Sequence, residues 1–416
     1  MAGTIVLVSN GPGELHTWVR PVLTELRSRY PEKRVVISLI PCQFAGGGES
    51  EAARGFGPDG VTTPAQYLRL AAGGRVPEEF GGRVESVISM GGSVGMAVRL
   101  AERLGAPAFR YSFVPYWHRK LDTLFVHDER AYRKARLLGA PAGKLEVVGN
   151  LVADAVSKSE PLESRGEPHI LLLPGSRDGF AVHLIPFMIA LADELKASFP
   201  TARFVWPVSR MLEEETIAAG VAGTERATLH GVGGERDGDR VVGPGGAVIE
   251  LVAQEERYRH MASADLAVTI PGTNTLELGI AGVPAVVVLP LNRPEVIPLE
   301  GPGHWLSLLP LVGVPLKRRA VRLFVERLSY PVSLPNQLSG EELMVEVRGQ
   351  IDPQSIARRV ADLLADEADL RARRERLLAT MPRPGAAARI VDRVVAGPGA
   401  DLAATTSGAT RERGAA

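Results

Sequence analysis

The chain has 416 residues, 45% hydrophobic and 23% charged, with 48 basic and 48 acidic side chains and a formal net charge of +0. That length exceeds one ordinary core and calls for two or three domains, while the zero balance argues against a nucleic-acid partner and against a global pull toward an anionic surface. The single cysteine, Cys42, excludes an intrachain disulfide and fits a reducing, cytoplasmic setting; it is read as a thiol without a role. The opening Met1-Ala2-Gly3-Thr4 lacks a basic segment ahead of an apolar run, so no signal peptide is expected. No apolar run reaches the roughly 18–20 residues that span a bilayer.

Residues 5–8 form a short, continuous apolar run, the pattern of a strand covered on both faces of a parallel sheet. The turn Asn10-Gly11-Pro12-Gly13-Glu14 follows, then a helical pattern over 18–27 and a second strand at 35–40. A strand at 87–90 ends at Gly91-Gly92 and leads into a helix through 104; strands at 123–126 and 145–148 close the first half. The polar stretch 155–168 has linker composition. Beyond it the pattern restarts, with strands at 170–173, 204–207, 247–251, 266–270 and 285–289 and helices between most of them. Such alternation predicts two α/β, Rossmann-like domains, each on a parallel sheet. Residues 231–246 are rich in glycine and charge and read as a flexible surface loop; 397–416 reads as a disordered tail.

Ligands of such sheets bind outside the carboxyl ends of the strands, so the turns after strands are the candidates. Gly11-Pro12-Gly13-Glu14 lacks the G-x-G-x-x-G spacing of a dinucleotide fingerprint. Its glycines allow close approach of backbone to a ligand, and Glu14 with His16 offers an acid or base; the competing reading is a helix-start carboxylate. Gly175-Ser176-Arg177 offers backbone N–H groups, a hydroxyl and a guanidinium at a helix start, a recipe for a diphosphate. Gly272-Thr273-Asn274-Thr275 ends another strand and opens a short helix carrying Glu277. A carboxylate there accepts hydrogen bonds from ribose hydroxyls, with a plain capping turn as the alternative. Asn336 follows Pro335 in a turn ahead of a helical stretch, as ligand contact or cap. His118 follows Tyr116-Trp117 and is a weaker candidate. No His/Cys/carboxylate set has metal-ligand spacing, so no metal is expected. Residues 305–328 combine apolar positions with Lys317, Arg318, Arg319, Arg322 and Arg327, as a surface-resting amphipathic element or an ordinary solvated face.

Four segments in order resemble the lipid-A-disaccharide synthase family, glycosyltransferases of the two-Rossmann GT-B type. Leu172 to Arg177, "LLPGSR", matches that family's turn of the same letters; Pro271 to Glu277, "PGTNTLE", Val332 to Val347, "VSLPNQLSGEELMVEV", and Val147 to Ala155, "VVGNLVADA", resemble three others. The resemblance covers most of the chain up to about residue 395. It implies an α/β GT-B fold, with two Rossmann-like domains facing across a cleft: an acceptor domain at 1–158, a nucleotide-sugar donor domain at 159–384, and a helix at 385–396 crossing back to the first. The implied reaction, in lipid A biosynthesis, is inverting transfer of a sugar of N-acetylglucosamine type from a UDP-sugar to a lipid or glycan acceptor. No resident cofactor is implied. Gly175, Ser176, Arg177, Gly272, Thr273, Asn274, Thr275, Glu277 and Asn336 would bind the donor, and Gly11, Gly13, Gly91 and Gly92 would line the acceptor side. Peripheral contact with the inner face of the cell membrane would run through 305–328.

This sequence departs from the family where the family carries a carboxylate base after its central first-domain strand. The place reads Met90-Gly91-Gly92-Ser93-Val94-Gly95. An inverting transfer needs a group to take the acceptor proton, which leaves Glu14, His16 or His118 for that task. The alternatives are a non-catalytic nucleotide-sugar binder and a UDP-sugar epimerase on the same plan.

Overall fold

The computed structural model describes residues 3–41, 48–157, 159–163, 166–292 and 330–398. Cys42, the 305–328 segment and all but the first two residues of 397–416 lie outside them. The chain divides into two compact units, Met1–Lys158 with Pro382–Ala416, and Ser159–Met381. Among the described residues no helix is long and apolar enough to cross a membrane.

Among its described residues the first unit has seven strands: β1 (Thr4–Ser9), β2 (Arg34–Leu39), β3 (Gly60–Thr62), β4 (Val84–Ser89), β5 (Ala108–Tyr111), β6 (Thr123–Val126) and β7 (Leu145–Val147). All pair in parallel, in the order β3-β2-β1-β4-β5-β6-β7. Alternate side chains of a strand leave on opposite faces, and β1 shows the consequence. Ile5 and Leu7 join one apolar cluster with Leu23 and Leu26, while Val6 and Val8 join the other with Leu100 and Ala101. Both faces are thus covered, which is why the run at 5–8 has no polar interruption. The strands β3 and β5 carry no such run and were not predicted.

The helix Ala386–Ala396 completes this unit, with Ile390, Val391 and Val394 buried in the Ile5 cluster. Asp154 fixes its start. Buried on the helix Leu151–Ser157, it accepts the Gly385 N–H at 2.9 Å on one oxygen and the Ala386 N–H at 3.0 Å on the other. A helix start has N–H groups without partners in the helix itself. A carboxylate more than 230 positions earlier supplies them here. Arg393 adds an ion pair to Glu146 at 2.8 Å.

Among its described residues the second unit has eight strands: β8 (His169–Leu173), β9 (Arg203–Val208), β10 (Glu235–Asp237), β11 (Arg240–Val242), β12 (Val248–Ala253), β13 (Leu266–Thr269), β14 (Ala285–Pro290) and β15 (Val345–Gly349). The order is β10-β11-β12-β9-β8-β13-β14-β15, parallel from β12 through β15. Two expectations are corrected. Residues 231–246 are not a structureless loop: β10 and β11 form an antiparallel hairpin on β12, turning at Gly238-Asp239 with Gly238 at φ 59°. A two-residue glycine-aspartate link is a hairpin signal; the polar, exposed flanks hid it. The stretch after Asn336 is also not one helix. Leu334–Ser339 is helical, and Val345-Glu346-Val347 then enters the sheet edge as β15.

Candidate functional site

In doubly wound sheets the ligand crevice lies where the strand order reverses. That point falls between β8 and β13 in the second unit and between β1 and β4 in the first. The turns singled out in the sequence are the ones that leave these four strands.

In the second unit, Gly175 holds φ 102°, and a Cβ there would stand 2.8 Å from the Ile270 side chain. A tight, glycine-only turn therefore lies beside the residue that follows β13. Arg177 is exposed and occupies the cap position of the long helix Asp178–Ser198. The first helical residue, Asp178, spends Oδ1 on the Glu213 N–H at 2.9 Å. Across the switch point, Gly272 and Thr273 are exposed at the start of the helix Thr273–Ile280. The next two side chains face inward. Asn274 donates to the Thr269 hydroxyl, and the Thr275 hydroxyl donates to the Gly272 carbonyl at 2.8 Å and accepts the Leu334 N–H. Thr273 and the backbone are thus the accessible part of this segment, and Asn274 and Thr275 hold its shape.

Glu277 is buried, at 5% exposure. Its Oε1 accepts from the Arg257 guanidinium at 2.7 Å and from the Tyr258 hydroxyl at 2.9 Å. Arg257 also stacks over the Tyr258 ring, 4.5 Å from its centroid. Burial opposes the Arg257 charge, yet the Glu277 carboxylate holds its guanidinium above the ordinary value. Burial, reinforced by Glu277, pushes the Tyr258 hydroxyl up, so it stays a neutral donor. Oε2 makes no hydrogen bond among the described residues. One carboxylate oxygen is committed to the fold and the other is left over.

Asn336 is corrected from ligand contact to structural centre. It is 1% exposed. Its amide nitrogen donates to the Met344 carbonyl and to Glu346, and its oxygen accepts the Leu343 and Met344 N–H groups. Two donors and two acceptor sites exhaust what an amide side chain has. Glu346 organises the same turn, accepting the Val332 and Ser333 N–H groups, the Ser333 hydroxyl and Arg348. Burial works against this carboxyl, but the Arg348 guanidinium and the Val332 and Ser333 amides hold it below the usual carboxylate range.

In the first unit, the turn after β1 winds through Pro12–Glu14 and a π-turn at Leu15–Val19 into the helix Arg20–Arg29. Glu14 is half-buried beside the Gly91-Gly92 turn: a Cβ on Gly91 would lie 3.3 Å from its Cγ, and one on Gly11 2.3 Å from its Oε2. Gly11 is buried and Gly13 exposed. The structure thus gathers Gly11, Glu14, Gly91 and Gly92. His16 is 4% exposed and packs edge-on against Phe56 at 5.0 Å, which makes it part of the packing. His118 lines a groove of about 440 Å³ with Arg99, Glu102, Arg119 and Lys120, its Nδ1 accepting the Lys120 N–H. Glu14 is therefore the one expected acid or base that reaches the switch-point turns. No group of three or more His, Cys or carboxylate side chains able to hold a metal occurs among the described residues.

Arg257, Tyr258, Glu346 and Arg110 were not anticipated. Each is part of a long-range pairing or sits in an unpredicted strand, so no local spacing marks it.

The family model "Lipid-A-disaccharide synthetase" matches residues 246–294, a segment that includes β13, the Gly272 turn and Glu277. A lipid-A-disaccharide synthase of Anaeromyxobacter sp. (strain K) is 29% identical over 322 residues, 72% of this chain and 71% of that protein. Among solved structures, a UDP-N-acetylglucosamine 2-epimerase from Neisseria meningitidis bound to UDP-GlcNAc is 14% identical with TM-score 0.52, covering 95% of this chain and 100% of that one. The calicheamicin glycosyltransferase CalG4 is 17% identical with TM-score 0.50, over 95% and 98%. These two likenesses speak for the fold alone, and it is the two-Rossmann GT-B fold. The sequence likeness is to lipid-A-disaccharide synthases.

Proposed function

We propose that the chain is a glycosyltransferase that moves a sugar from a UDP-sugar to the hydroxyl of a lipid or glycan acceptor, with inversion, and that the second unit holds the donor. The observation that carries this is the pairing of two turns at the β8/β13 switch point. The Gly175-Ser176-Arg177 turn and the exposed Gly272-Thr273 helix start lie together there, with the Glu277 carboxylate one turn inside. Backbone N–H groups and a guanidinium suit a diphosphate, and the uncommitted Oε2 of Glu277 suits a ribose hydroxyl. The names of the relatives and the match over 246–294 support the same reading.

In the proposed reaction the acceptor oxygen bonds to the anomeric carbon, the carbon–oxygen bond to the diphosphate breaks, and UDP leaves. The acceptor proton passes to Glu14, the acid–base group of the β1/β4 turns. Arg177 balances the charge that grows on the leaving diphosphate. The glycines at 91–92, where the family has a carboxylate, favour a second reading: a nucleotide-sugar binder without turnover. UDP release from UDP-N-acetylglucosamine, assayed with lipid and glycan acceptors, separates the two. The transferase reading expects release that falls at least about 100-fold in Glu14→Gln; UDP binding with no release under any acceptor leaves the binder.

A further inference from the structure

Arg110 lies on β5 in the middle of the first unit's sheet, 6% exposed, in a strand otherwise apolar. A buried guanidinium is ordinarily paired with a carboxylate, because its charge is costly to take out of water. Arg110 has no such partner among the described residues. Nη1 donates to the Ser89 hydroxyl at 2.9 Å and to the Gly92 carbonyl at 3.3 Å, and Nη2 makes only a 3.4 Å contact with the Ser112 hydroxyl. Nε is buried with no acceptor among the described residues. Burial alone, unopposed by any negative group, lowers its pKa to about 10. The Nε–Nη2 edge, the side of the fork that takes two oxygens of one anion, is thus the edge left short of acceptors.

The bond from Nη1 to Gly92 seats this guanidinium against the β4 turn. There Gly91 has φ 128° and Gly92 φ 64°. A Cβ on Gly91 would stand 3.0 Å from Asn10 Oδ1, and one on Gly92 2.7 Å from Ile40 and 2.9 Å from Asn10 Cγ, so the turn admits only glycine. The eleven-residue helix Val94–Leu104 starts directly after it, and its cap residue Ser93 makes no side-chain capping bond. Asn10 Oδ1, against the same turn, is buried without a donor among the described residues. Glu14 is the carboxylate at the rim, and it forms no ion pair with Arg110. Unpaired positive charge, an uncapped helix start and an orphaned acceptor therefore meet at the strand-order reversal of the first sheet.

We propose that this is an oxyanion site: a phosphate or carboxylate group of a hydroxylated ligand seats on the Gly91–Ser93 backbone and the Nε–Nη2 edge of Arg110, with a neighbouring hydroxyl donating to Asn10 Oδ1. The site rests on the first unit alone and is distinct from the donor turns of the second. Inorganic phosphate and acetate are the probes, with chloride at equal ionic strength as the control and UDP as the second-unit control. The expected result is a saturable rise in thermal stability with phosphate or acetate that chloride does not give. Whichever of the two gives the larger shift names the group. Arg110→Met weakens that anion's binding at least about tenfold, as loss of a charge-assisted bidentate contact requires, and leaves the UDP response unchanged. An equal anion response in wild type and Arg110→Met, or none in the wild type, overturns the site. Should Arg110→Met not fold, amide shifts of the wild-type protein decide. Movement of the Gly91, Gly92 and Ser93 N–H resonances with whichever of phosphate and acetate stabilises the protein more supports the site, and shifts confined elsewhere refute it. Failure of the UDP response alone would count against the donor reading and leave this site standing.

Discussion

Replacing Glu277 by alanine leaves the Arg257 guanidinium inside the protein without its counter-charge. The side chains of the pair are 17% and 6% exposed and 2.7 Å apart, so solvent neither screens the attraction nor solvates the survivor. Breaking such a pair costs about 3–5 kcal/mol, most of it the penalty of an unpaired buried charge. Tyr258 loses its acceptor as well, a loss of about 1–3 kcal/mol in isolation that overlaps with the first because all three groups share one oxygen. A total near 4 kcal/mol is expected. Removing both charges tests the cause: Arg257→Met with Glu277→Leu is expected to recover all but about 1 kcal/mol. Urea unfolding, followed by tryptophan fluorescence to which Trp206 in the second unit's core contributes, measures both. A loss below about 1 kcal/mol in Glu277→Ala, or a double variant as damaged as the single one, refutes a structural role for this carboxylate and returns it wholly to ligand binding.

Asp154→Ala strips two N–H groups of their acceptor at the start of the Ala386–Ala396 helix; a loss of about 2 kcal/mol in the first unit's transition is expected, with faster proteolysis near residue 384. His169 and His260 face each other in the second unit, 3.4 Å apart. Burial, then the charges of His260 and Arg203, pushes His169 down from 6.5 to about 4, and burial with Arg203 also lowers His260. Both are depressed, so the unfolded chain takes up the protons first: stability is full above pH 6.5 and falls as pH drops toward 4, by on the order of 3 kcal/mol from His169. His169→Phe should flatten that fall in urea titrations at pH 7 and pH 4.5, and an unchanged difference between the two pH values would contradict it. Asn336→Ala should destabilise the second unit by about 2–3 kcal/mol through the unsatisfied Leu343 and Met344 N–H groups, with UDP affinity of the folded fraction unchanged by calorimetry.

The sequence made the frame legible wherever burial on both faces imposes a continuous apolar run, as in β1, β2, β8 and β13. It failed where that rule bends. The strand β5 is interrupted by Arg110, and the interruption is what makes the strand interesting. The edge strand β15, Val345-Glu346-Val347-Arg348-Gly349, alternates and is only half-buried along its length. The glycine turns at 91–92 and 175 could be placed at strand ends because no other residue tolerates their geometry. The partners of Glu277 and Asn336 could not be read. Arg257 lies twenty positions away on another helix, and Glu346 arrives on a strand not foreseen. A sequence motif fixes which residue stands at a turn; whether its side chain faces a ligand or the fold is set by neighbours that only tertiary structure brings.

The central claim is that the β8/β13 turns of the second unit grip a nucleoside diphosphate, and calorimetric titration of the intact protein with UDP tests it most directly. The account expects saturable binding, competed by UDP-N-acetylglucosamine and weakened at least about tenfold in Arg177→Ala. No binding at millimolar UDP, or equal affinity in the wild type and Arg177→Ala, would contradict it.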